Sequence, residues 1–169
     1  MPVLMYDASV PVFKQILGSL TSIIEKAEVY ANERKMDPNA LLQARLFPDM
    51  FTFTRQVLLT TDFAKGAAAR LSGIEVPKYE DNEQTFEEVK ARIAKTLAFI
   101  ATVKPEQMEG SDSRDVTVPM GPNNAKTFKG QTYLFHYALP NFHFHAATAY
   151  AILRHNGLDI GKKDFIGKF

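Results

Sequence analysis

The chain has 169 residues, 46% hydrophobic and 23% charged, with a net charge of +1 and no cysteine. That length suits one domain with its own core, and the missing cysteines remove disulfides, thiolate metal sites and thiol nucleophiles together, as fits a reducing compartment. A near-neutral chain with no run of Lys or Arg is a poor partner for nucleic acid or an anionic membrane.

The opening MPVLMYDASVPVF has no charged leader region, no long apolar stretch and no cleavage signal, so a cytoplasmic protein is expected. No segment approaches a membrane span of about twenty apolar residues. The first helix is expected from Pro11 to about Arg34, with Ser9 as its cap and Pro11 in the first turn. Phe13, Ile16, Leu17, Leu20, Ile23, Ile24, Ala27 and Ala31 make one apolar stripe. DPNALLQARLFPD then reads as a short helical turn and a connector.

A second helix is expected from about Asp49 to Ser72, stopped by Gly73. Its stripe is Met50, Phe53, Val57, Ala64, Ala68 and Leu71, yet Phe51, Leu58, Leu59 and Phe63 fall largely outside it. That second apolar face implies either cover by an insertion or another subunit, or a scatter of surface apolar residues. The third helix begins at a capping box, Thr85-Phe-Glu-Glu88, carries Phe86, Val89, Ile93, Leu97, Ile100 and Val103 inward, and is ended by Pro105.

Between Lys104 and Gly130 the helical period is lost, and DVTVPM, GPNN and AKTFKG suggest a small β-hairpin or ordered loop. The fourth helical region joins QTYLFHYALP to NFHFHAATAYAILRHN and closes at Gly157. In the tail, Leu158, Ile160, Phe165 and Ile166 are expected to pack on the rest. Four amphipathic helices with one insertion give the fold class: all-α, an antiparallel four-helix bundle, in a single domain over 1–169.

Three of the four histidines lie within residues 139–157. On a wheel of about 100° per residue, His145 falls on the core face with Phe142, Ala146, Ala149 and Leu153, while His143 points about 200° away. The pair therefore cannot chelate one ion from a regular helix. His155 sits in the last turn, where a cation suits the helix end. Asn141 and Thr148 flank His145 at the edge of the core face. Pro140 cannot bond to the carbonyl of His136, so a kink or break there brings a free carbonyl, His136 and Asn141 near His145. His145 is either a core histidine satisfied by a partner or a ligand or general base facing a pocket between helices. Asn141, His145, Thr148 and His136 are the pocket candidates, and His145 the catalytic one.

Other chemistry is thin. There is no dinucleotide or phosphate loop, no HExxH and no Glu-x-x-His pair, and no nucleophile elbow. Glu25, Asp49 and Asp62 read as solvated or salt-bridged carboxylates. Arg34, Lys35 and the terminal lysines read as solvated surface.

LFPDMFTFTRQVLLTTDFAKGAAARLSG together with LPNFHFHAATAYAILRHNG resembles a bacterial family of about this length, domain-of-unknown-function family 1993, within the DinB/YfiT-like superfamily. The resemblance spans nearly the whole chain. It implies a bundle with up-down-down-up connections, often dimeric, in a superfamily that includes metalloenzymes and thiol-dependent transferases. It also implies a metal site of three histidines, one from the second helix and an HxxxH pair from the last. Here the pair falls on Asn141 and His145, and the helix-two position falls near Asp62 or Phe63. Asp62, Asn141 and His145 are thus the metal candidates for Zn or Ni, a weak set with one imidazole. Asp62 also stands about 140° from the main stripe of its helix.

Two functions remain open on this reading. One is a homodimer that binds a small molecule or partner through a degenerate metal site. The other is a metal-dependent or general-base enzyme, of hydrolase or transferase type, centred on His145.

Overall fold

The computed structural model describes residues 4–169. Helix α1 spans Val10–Glu33 and carries the expected stripe inward, from Phe13 to Ala31. Ser9 does not cap it. Its hydroxyl instead donates back to the carbonyl of Met5 at 2.6 Å, a bond that competes with capping. A one-turn helix α2, Asn39–Leu42, buries Leu41 and Leu42.

Helix α3, Phe53–Ser72, starts later than the periodicity suggests, because Thr52 takes an extended backbone and its hydroxyl accepts from the N–H of Arg55. Gly73, with φ of 73°, closes it in a left-handed conformation that glycine adopts without penalty. This helix is buried on nearly every side. Leu58 is buried and Leu59 and Phe63 are half-buried, so the second apolar face is largely covered by the chain's own segments. Phe51 lies before the helix and is exposed.

Helix α4, Phe86–Ala101, opens on the full capping box of Thr85 and Glu88. Its stripe is buried as expected, except that Leu97 is half-buried; Arg92 and Thr96 are buried as well. Pro105 does not itself end α4 but begins a 3-10 turn, Pro105–Met108. Strands β1, Asp115–Pro119, and β2, Ala125–Lys129, form the hairpin, antiparallel with Val116 opposite Phe128 and Thr117 opposite Thr127.

From Gly130 the chain is helical through His155, in three pieces: α5 (Gly130–Tyr133), a π-helical turn (Leu134–Ala138) and α6 (Leu139–His155). Pro140 has no N–H to give to the carbonyl four residues back. The helix does not break; it widens by a residue, and the N–H of Leu139 reaches the carbonyl of Leu134. At the other end Asn156, not His155, supplies the side-chain bond to a terminal carbonyl, its Nδ2 donating to Ile152 at 2.8 Å. The short α7, Lys162–Ile166, lies on α1; Leu158 and Ile160 are buried there, whereas Ile166 is exposed.

The long helices pack side by side. α3 lies against α6 and α4, and α1 against α4 and α6. Phe13 meets Phe142 edge-on with centroids 4.8 Å apart, joining the early part of α1 to that of α6. Tyr30 donates to the carbonyl of Asn156, joining their far ends. Lys90 of α4 pairs with Glu28 of α1 at 2.6 Å. After Gly73 the connecting segment runs back along α3, since Asp81 pairs with Arg55 near the start of that helix. Among the described residues, no helix is long and apolar enough to cross a membrane.

Candidate functional site

Because α3 is enclosed, its polar side chains need partners inside the protein. Gln56, 1% exposed, finds one in His145, whose Nδ1 lies 2.7 Å from its Oε1. An amide oxygen only accepts, so Nδ1 carries the proton and Nε2 keeps the lone pair. The imidazole stacks on Phe63 with centroids 5.6 Å apart and has Phe144 at its edge. Burial, and then the nearby Arg55 guanidinium, hold its pKa below the ordinary histidine value, so it is neutral at pH 7.

This gives a signed expectation. Unfolded, the histidine titrates near 6.5; folded, it titrates lower. The stability it permits is complete above that unfolded value and falls as pH drops below it, by at most about 1.4 kcal/mol per pH unit for one proton. Urea melts between pH 7.5 and 5 should show the decline, and His145→Gln should flatten it. Equal slopes in the two proteins would remove His145 from the account.

The other nominated residues do not gather around His145 as a ligand set. Asn141 donates to the carbonyl of Tyr137 at 2.7 Å, and Thr148 to that of Phe144 at 2.7 Å, so both serve their own helix. His136 and His143 are exposed. Asp62 faces cations: its Oδ1 accepts from Lys65 at 2.7 Å and from Arg92 at 2.9 Å. Among the described residues no three His, Cys, Asp or Glu side chains come close enough to hold an ion. One imidazole, an amide turned to its own backbone and a carboxylate in ion pairs do not fit a Zn or Ni site.

What lies between α3 and the π-helical turn is a crevice of about 180 Å³. Leu59, Asp62, Phe63 and Arg70 form one wall, Tyr133 and Tyr137 the other, and Val118 of the hairpin closes one end. Only Asp62 and Phe63 had been marked by sequence reasoning as possible site positions. Phe63 links the two regions, its ring stacked on His145 and edge-on to Tyr137 at 5.8 Å. Tyr133, 1% exposed, stacks beside Tyr137 and accepts from Arg70 Nη1 at 3.3 Å. Burial raises the Tyr133 pKa, opposed in part by Arg70. The π-helical turn marks this wall, and Pro140 was the one sequence signal for it.

A second polar centre backs Asp62. Arg92, on α4, lies against the ring of Tyr79 at 4.9 Å, with Lys65 and Lys95 at 4.0 and 4.2 Å from the same ring. It ties the segment after α3 to both helices.

Comparison with known proteins agrees with this architecture. A family model described as a domain of unknown function (DUF1993) matches residues 5–166. No curated protein matches the chain. Among solved structures, a DinB family member protein from Shewanella denitrificans is 37% identical, with a TM-score of 0.90. The match covers 97% of this chain and 92% of that one.

Proposed function

This chain belongs to the DUF1993 family, and we propose that it is a cytoplasmic small-ligand-binding protein whose site is the crevice between α3 and the π-helical turn. The observation that carries this reading is the crevice itself: an open space walled by Phe63, Tyr133 and Tyr137 with a guanidinium at its edge. Apolar walls with a few convergent polar groups are what small-molecule sites have in common. A compound bound at about a hundred times its dissociation constant should raise the melting temperature by about 5 °C or more. Small aromatic compounds are therefore expected to stabilise the protein, and Leu59→Phe, which fills the space, to erase their effect. Unchanged melting across such a panel would sink the proposal.

We propose too that α1, α3, α4 and α6 form a four-helix bundle of up-down-down-up connection. The contacts of Phe13 with Phe142, Lys90 with Glu28, Gln56 with His145 and Asp81 with Arg55 support those directions. The exposed Phe47, Phe51 and Phe144 support a homodimer. Light scattering at micromolar concentration should then give twice the 19.0 kDa chain mass; a monomer refutes the dimer.

One observation favours a second reading, an enzyme centred on His145: a neutral imidazole with its tautomer fixed by Gln56 is suited to general-base work. If that enzyme is metal-dependent, untagged protein should retain near-stoichiometric Zn or Ni. We expect instead no retained metal and no change in melting on adding either ion.

A further inference from the structure

We propose that the crevice is a carboxylate site: it takes a small organic acid with a flat apolar body, the carboxylate held by Arg70 and the Tyr133 hydroxyl. This rests on the small-ligand reading above and names the ligand's chemistry.

The first ground is the state of Arg70. Each carboxylate near this wall already has a cation: Asp62, Asp81 and Glu83 all pair with Arg92. Arg70 is in no ion pair among the described residues, and its side chain donates only to the Tyr133 hydroxyl. A guanidinium is always charged and offers five N–H groups in a planar fork. A half-buried one that spends a single donor on a neutral hydroxyl keeps donors for a planar oxyanion.

The second ground is Gly66, in the interior of α3, where glycine weakens a helix. A Cβ placed there would stand 2.6 Å from Arg70 Nη1. The guanidinium therefore lies back along α3 over Gly66, and the absence of a side chain at that position is what lets it lie there. A side chain at this position would oblige Nη1, the atom that reaches Tyr133, to shift.

The third ground is the walls. Phe63 and Tyr137 meet edge-on, Tyr133 and Tyr137 stack at 6.0 Å, and these three rings line the crevice together with Leu59 and Val118. An apolar cavity of about 150 Å³ takes benzene, so 180 Å³ accepts a body of that size. One guanidinium and one hydroxyl suit a monoanion; a phosphate dianion calls for more donors.

Titration calorimetry on the full chain with benzoate, benzamide and inorganic phosphate tests the assignment. Benzoate should bind, with benzamide and phosphate weaker by roughly tenfold or more, the size of one charge-assisted hydrogen-bonded contact. Arg70→Met should abolish the preference for benzoate, and Gly66→Ala, which displaces the guanidinium without removing it, should weaken benzoate as well. Should Arg70→Met lose its cooperative melt, Arg70→Lys serves in its place, keeping the charge without the fork, and is expected to bind benzoate more weakly. Equal affinity for benzoate and benzamide, or full benzoate affinity in the Arg70 variant, overturns the carboxylate assignment and leaves the small-ligand reading standing. Phosphate binding more tightly than benzoate overturns it too. If neither aromatic probe binds, both fall together.

Discussion

Replacing Arg92 with methionine is expected to lower stability by about 3 kcal/mol in urea denaturation, the low end for breaking a buried ion pair. Its side chain is 2% exposed. Nε donates to Thr61 at 3.1 Å, Nη1 to the carbonyl of Glu80 and to Glu83, and Nη2 to Asp62 and Asp81. Each of the five N–H groups of a guanidinium thus has an acceptor. Methionine keeps much of the volume and removes all of these bonds. Asp62 and Asp81, each about a third exposed, then regain water, which limits the loss. Glu83 does not: its side chain is 10% exposed and its Oε2 is already buried without a partner. The segment from Gly73 to Thr85 should also become the first site of proteolysis, since it loses the bonds of Glu80, Asp81 and Glu83 to Arg92 and keeps the Arg55–Asp81 pair and the lysines on Tyr79. A loss below about 1 kcal/mol would mean that the carboxylates are not held as described.

Gly130→Ala is expected to cost about 2–3 kcal/mol, as overpacking against a fixed wall does. A Cβ at this buried position would overlap the backbone carbonyl of Ser111 and come within 3.3 Å of Leu71. Backbone cannot step aside as a side-chain tip does. Gly130 donates to the carbonyl of Arg114 at 2.9 Å, and Gln131 to that of Asp112 at 2.9 Å, so the start of α5 is laced to the segment before β1. Moving it breaks those bonds or strains the hairpin. Melting of the variant reads the cost; a change under about 0.5 kcal/mol would show that the junction has slack.

Much of the helix placement was legible because it follows from local rules. The Thr85 capping box, the stop at Gly73 and the stripe from Phe13 to Ala31 depend on residues within a few positions of one another. His145 could be placed inward for the same reason, since a wheel needs only the helix. Its partner could not, because Gln56 is 89 residues away and nothing near it signals an imidazole. Arg92 carries no sequence signal of its own, and two of its three carboxylates, Asp81 and Glu83, come from a loop with no periodicity at all. The crevice was out of reach likewise. It needs Arg70 folded over Gly66, a tyrosine from the far side of the hairpin, and a turn whose width changes at a proline. His136 shows the converse: its closeness to Pro140 in sequence is what nominated it for the pocket, and in the structure its side chain is exposed.

That added residue also decides where change is tolerated. The wide turn takes up one extra residue, so the helix before and after it keeps nearly the phase of a continuous α-helix. Remove one residue between Leu134 and Ala138 and the stretch can close as ordinary α-helix, with Tyr133 still facing Arg70 and Phe142 still against Phe13. Only the turn itself, where Tyr137 stands, would change its face. Chain length at this one point thus works like a local dial, altering one wall of the crevice while the scaffold on either side stays the same.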